Sequence, residues 1–105
     1  MTHDEVVAFV EAVGLPWAYD HFAEGESPDP PFLVILYPSA DNFAADGIVY
    51  FSSNVLHLEL YTDKKDVDVE AEVEAALTEQ GLYYDKSEVW IESERLYEVL
   101  YEMEV

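Results

Sequence analysis

The stretch VLHLELYT, from Val55 to Thr62, alternates so strictly that it constrains the fold more than any other part of the chain. Leu56, Leu58 and Leu60 share one side while His57, Glu59 and Tyr61 share the other, and that period of two is the mark of a half-buried β-strand. A sheet with one covered face follows, and the remaining segments must supply its cover and its neighbouring strands.

Cover comes from two amphipathic segments. Thr2 and Glu5 have the spacing of a capping box, and Val6, Phe9, Val10 and Val13 recur on one helical face before Gly14 offers a left-handed stop. The first helix is therefore predicted from about His3 to Val13. A second begins at Asp66, a helix-capping residue, carries the stripe Val69, Val73, Ala76 and Leu77, and ends at Gly81. Asp68, Glu70, Glu72 and Glu74 crowd its first turns, where the positive end of the helix dipole tolerates acids.

The other segments read as strands and loops. Leu15 to Pro31 mixes aromatics with four prolines, which suits a packed loop with a short helical turn around Trp17 to Phe22. The apolar run Phe32 to Tyr37, bounded by Pro31 and Pro38, predicts a strand covered on both faces or central in a sheet. Turn formers between Ser39 and Gly47 predict a loop exposing Phe43. Ile48 to Phe51 and Val55 to Thr62 read as a hairpin around Ser52, Ser53 and Asn54. Ser87 to Ile91 and Leu96 to Val105 form a second hairpin around Glu92, Ser93 and Glu94. In its last arm Tyr97, Val99, Tyr101 and Met103 alternate with Glu98, Leu100, Glu102 and Glu104, giving one apolar and one mostly acidic face. The expectation is an α+β fold of one domain, residues 1–105. It has a single mostly antiparallel sheet, two helices on one face, and the order α-β-β-β-α-β-β. Phe9, Val13, Val34, Leu58, Leu60, Val73, Leu77 and Val99 are expected in its core.

Charge narrows the function classes. The 105 residues carry 24 acids against Lys64, Lys65, Lys86 and Arg95, a formal charge of -20. Direct nucleic-acid binding is not expected, because affinity for a polyanion comes from cations that displace its counterions. The apolar fraction of 50% nonetheless requires a folded core. MTHDEVVAFVEAV has no basic leader and its apolar residues are broken by acids, so neither a signal peptide nor a membrane span is expected.

Residues that carry chemistry are dispersed. The chain has no cysteine, and His3, His21 and His57 share no metal-ligand spacing, so no metal site is expected. Asp63, Asp66, Asp68 and Glu70 lack the central glycine and terminal glutamate of a calcium loop. The serines fit no nucleophile elbow, and Gly14, Gly25, Gly47 and Gly81 are too isolated for a phosphate loop. No catalytic residue and no cofactor are expected. Tyrosine, which joins apolar area to a polar tip, clusters late in the chain. Tyr61, Tyr83, Tyr84 and Tyr101, with Phe43, are the candidate interface residues.

The words Tyr19-Asp20-His21-Phe22, Pro31-Phe32, Asp41-Asn42-Phe43 with Ala45-Asp46, Glu59-Leu60-Tyr61-Thr62-Asp63-Lys64-Lys65-Asp66, and Ile91-Glu92-Ser93-Glu94 with Tyr97 and Tyr101 span most of the chain. Together they resemble a small family of prophage proteins from Gram-positive bacteria, encoded among tail-morphogenesis genes. The pattern is similar to the tail terminators of long-tailed phages. Val67, where the family would place a helix-starting proline, and the poverty of lysine depart from it. The resemblance implies a virion part, present in the host cytoplasm during assembly. Its implied partners are copies of itself in a ring, the tail-tube protein and the head-tail connector. A head-tail adaptor or another minor tail component fits the same pattern. The alternative from another class is an acidic DNA mimic that occupies a restriction enzyme or other DNA-binding protein.

Overall fold

A computed structural model describes residues 1–23, 25–38 and 55–105. The described elements are α1 (His3–Val13), β1 (Trp17–Tyr19), β2 (Phe32–Leu36), β3 (Val55–Thr62), α2 (Val67–Glu79), β4 (Tyr84–Ile91) and β5 (Leu96–Glu104). The fold is α+β, with one sheet in the order β1-β2-β3-β5-β4 that is antiparallel apart from the β1–β2 pair. The element order is the expected one with a different membership. The helical turn expected around Trp17 is instead a strand, while the strand expected at Ile48 to Phe51 and the loop at Phe43 lie outside the described residues.

Backbone pairing explains the strand at Trp17. The Leu33 amide donates to the Pro16 carbonyl at 2.8 Å and the Asp20 amide donates to the Ile35 carbonyl at 2.7 Å. That ladder satisfies groups that a lone helical turn would leave to water. Asp20 then takes φ 68, a left-handed conformation open to aspartate, and ends the strand.

Both helices are fixed at their ends as the sequence requires. The Thr2 hydroxyl accepts from the Glu5 amide at 3.1 Å while Glu5 accepts from the Thr2 amide at 2.8 Å. Asp66 caps α2 by accepting from the Val69 amide at 3.2 Å. At the other end the Leu82 amide reaches the Leu77 carbonyl and the Gly81 amide reaches the Thr78 carbonyl. This paired closure needs a left-handed residue, and Gly81 supplies φ 72. Among the described residues no helix is long and apolar enough to cross a membrane.

Register places the core. Leu33, Leu60 and Val99 lie in one row across β2, β3 and β5, and Ile35, Leu58 and Tyr101 lie in the next. These side chains, with Leu56 and Met103, bury against Val6, Phe9 and Val10 of α1 and Val73 and Leu77 of α2. Both helices therefore cover the same face. One expected core position differs, and another is buried on the opposite face. Val13 is only partly buried at the rim of the cluster. Val34 is buried but points away from the helices, because Leu33 and Ile35 take the inner positions. Phe32 is buried on that outer face too, with Phe22 edge-on against its ring and Tyr61 stacked on it. So β2 is covered on both sides, as its unbroken apolar run predicts.

Candidate interaction surface

The acidic α2 stripe shapes the outer part of the covered face. Glu70 is 3% exposed and lies 2.9 Å from the Lys65 ammonium and 2.8 Å from that of Lys86. Burial raises the Glu70 carboxyl, but the two lysine hydrogen bonds outweigh it and hold its pKa below the usual carboxylate value. Lys86 also meets Glu74 at 2.7 Å, and the Tyr101 hydroxyl donates to that carboxylate at 2.8 Å. Lys65 closes the network through Glu88 at 2.8 Å. The hydrogen bonds to Glu70 and Glu74 push the Lys86 ammonium well above its ordinary value. The single cation of β4 is thus drawn inward under α2.

The face of the sheet away from the helices is rich in acids. Tyr61 lies opposite Glu98, and its hydroxyl sits 2.9 Å from a Glu59 oxygen and 3.0 Å from a Glu98 oxygen. One phenolic proton cannot satisfy both carboxylates, so the arrangement favours a proton on one of them. Burial first, and the nearby Glu98 carboxylate, raise the Glu59 pKa despite the Tyr61 hydrogen bond and the neighbouring His57. One row further along β3, His57 contacts Glu102 at 2.6 Å, and Asp85 pairs with Glu102 from β4.

The two edges of the sheet differ. At one edge β1 has three residues, preceded by Pro16 and ended by the left-handed Asp20. His3 packs edge-on against Tyr19 and Tyr37 there, and its ring nitrogen lies 2.8 Å from the Tyr37 hydroxyl. Burial, with a contribution from Tyr19, pushes the Tyr37 phenol up to about 12. At the other edge β4 runs for eight residues with an unbroken register against β5. Among the described residues no strand pairs with its outer side. Val89 is 52% exposed and Trp90 39%, the latter stacked edge-on with Tyr97 and donating to Glu92 at 2.6 Å. Tyr83, just before the strand, is 94% exposed. It borders a groove of about 500 Å³ lined also by Leu82, Met103, Asp85, Glu102 and Glu104.

The candidate interface residues part company here. Tyr83 is the exposed one, at the mouth of the groove. Tyr61 is half-buried in the acidic face, and Tyr84 packs at the margin of the core against Tyr101. Tyr101 is fully buried, which corrects its assignment to an interface: its parity on β5 is that of Val99 and Met103. Phe43 lies outside the described residues. The structure adds Val89 and Trp90, which the sequence reading passed over. Their signal was present, since the consecutive Val89-Trp90-Ile91 places large apolar side chains on both faces of a strand.

Among the described residues no group of three acidic or histidine side chains converges as a metal cage. His3, His21 and His57 instead lie beside Tyr37, Asp20 and Glu102 respectively. Chemically, the surface offers carboxylates, phenols, an indole and free backbone groups, a set suited to holding another chain. Comparison with protein-family models, with curated proteins and with solved structures gives no match.

Proposed function

We propose that the chain is a structural part of a phage or prophage virion, of the tail-terminator kind. Subunits close into a ring at the end of the tail tube and join it to the head connector. The observation that carries this reading is the sequence likeness to tail-region prophage proteins, strongest in ELYTDKKD. Those residues end β3 and cap α2, with Lys65 and Asp66 both holding the helix start. The likeness thus falls on residues that determine the fold.

What the fold lends to the reading is its division of labour. One sheet face is committed to the core, and among the described residues the acidic part of the other face and the β4 edge remain as surface for contacts. Heterologous contacts that close on themselves stop growth, which is the task of a terminator. DNA leaving through such a ring meets carboxylates, to which phosphate does not adhere. A DNA mimic draws its support from the same charge, but Glu59 and Glu98 are gathered on one phenol instead of being set out as separate phosphate-like charges.

Deleting the gene from its prophage tests the proposal directly. The expected particles have overlong tails that fail to join heads, and normal infectious particles would rule the role out. Light scattering adds a biophysical arm. Ring formation among highly acidic subunits strengthens as salt screens their repulsion, whereas a mimic bound to a basic partner is weakened by salt.

A further inference from the structure

We infer that β4 is a docking edge for an extended, cationic segment of another protein, which adds to the sheet as a sixth strand. The inference does not rest on the virion reading. Its first support is the contrast between the edges. Exposed strands are normally blunted by shortness, proline, bulges or an outward lysine, because unpaired backbone groups are a template for another chain. At β1 shortness and Pro16 serve that purpose. At β4 shortness, proline and bulges are all absent: eight residues pair with β5 without a bulge and none is proline, so only its charged side chains guard it, and Lys86 is bound inward by Glu70 and Glu74.

Charge then selects the occupant. A second copy would bring another -20, and with it a second Asp85 and Glu88 to the same edge. A cationic strand meets the opposite situation. Basic side chains would face Asp85 on one side of the sheet and share Glu88 with Lys65 on the other, while apolar ones cover Val89 and Trp90. Where the strand passes the start of β4, the 500 Å³ groove accepts one long basic side chain. Its aliphatic stem would run along Leu82 and Met103, its head would meet Asp85, Glu102 and Glu104, and the open Tyr83 ring offers a cation–π contact. Main-chain hydrogen bonds would supply affinity and the side-chain alternation specificity, as in other strand additions.

The probe is a blocked octapeptide of valine with two arginines three residues apart, which places one arginine on each face of the added strand, compared with the same peptide N-methylated at alternate residues. N-methylation removes the donors of one edge and leaves the charge unchanged. Titration of the full chain, followed by amide NMR and hydrogen exchange, should give one-to-one binding at least tenfold tighter for the unmethylated peptide. New protection should fall on the alternate amides of Tyr84–Ile91 that point away from β5. Glu88→Lys should weaken binding at least tenfold. Asp85→Asn, which does not touch the Lys65 and Lys86 network, should weaken it severalfold in a chain of unchanged melting temperature. Equal binding of both peptides, or shifts centred on Glu59 and Glu98, would mean attraction without strand addition and would overturn the inference. So would self-pairing through β4 at moderate salt that the peptide fails to displace.

Discussion

Glu70 and Glu59 show how two glutamates on one small fold come to opposite electrostatic states. Glu70 is buried between two ammonium groups, so its folded pKa lies below the unfolded value and it lends stability above that value. The contribution is lost as pH falls through the folded pKa. Glu70→Gln should therefore cost most near pH 7 and progressively less as pH falls through about 4. Loss of one partner from a fully buried pair costs about 3 to 5 kcal/mol. Here Lys65 and Lys86 are 41% and 36% exposed and can rehydrate, which reduces the expected cost to about 1 to 2 kcal/mol. Urea denaturation at pH 7 and pH 4 checks both size and trend. Glu59 has the reverse sign. Its folded pKa is raised by burial and by Glu98, so the protein loses stability as pH rises through that value. Glu59→Gln, which keeps an acceptor for Tyr61, should raise stability at pH 7.5, and the gain should vanish near pH 4. A loss at pH 7.5 would show that Glu59 is held as a carboxylate.

At the scale of elements, the β4–β5 hairpin carries a local cost that can be isolated. Its loop, Glu92 to Arg95, is held by the Glu94 and Arg95 amides donating to Ile91 and Glu92, and Arg95 takes φ 54. A left-handed non-glycine residue costs roughly 1 to 2 kcal/mol. Arg95→Gly and Arg95→Ala remove the same charge, so their difference reports the backbone alone. The glycine variant should be more stable by about 1 kcal/mol, measured as the gap between their denaturation midpoints at equal slope. The same hairpin marks how far the sequence could be read. Its existence, the two capped helices and the alternation of β3 were legible, because each is written in local spacing. The strand at Trp17 was not, since three residues are too few to show a period and its bonds go to β2, far along the chain. Nor was the early start of β4: Tyr84, Asp85 and Lys86 become strand by pairing with Met103, Glu102 and Tyr101, and Lys86 looks solvent-facing until Glu70 and Glu74 are placed over it. Of the candidate surface, Tyr83 was visible as an exposed aromatic. The burial of Tyr101 follows from its parity on β5 with Val99 and Met103, which was legible in the alternation and outweighs its place among the clustered tyrosines.

The whole molecule is governed by its unmatched charge. A net -20 is confined within a radius of gyration of 14.0 Å, whereas an unfolded chain of this length spreads over roughly 30 Å. Folding therefore brings like charges together, and self-repulsion opposes it. At 0.01 M salt the screening length is about 30 Å, larger than the folded radius, so nearly every pair of acids interacts. At 0.15 M it is about 8 Å and only neighbours do. Salt also weakens the ion pairs of Lys65 and Lys86, but their half-exposed ammonium groups limit each pair to about 1 kcal/mol, and these two lysines face an excess of 20 negative charges. Relief of repulsion should win. The melting temperature should rise by about 5 °C or more between 0.01 and 0.15 M sodium chloride, equivalent to about 1 kcal/mol for a domain of this size. Potassium chloride at equal ionic strength should give the same rise, because screening depends on ionic strength and not on the ion. A rise seen with sulfate alone would point to exclusion of that ion from the protein surface. A melting temperature that falls with salt would place the Lys65 and Lys86 network, and not the net charge, in control of stability.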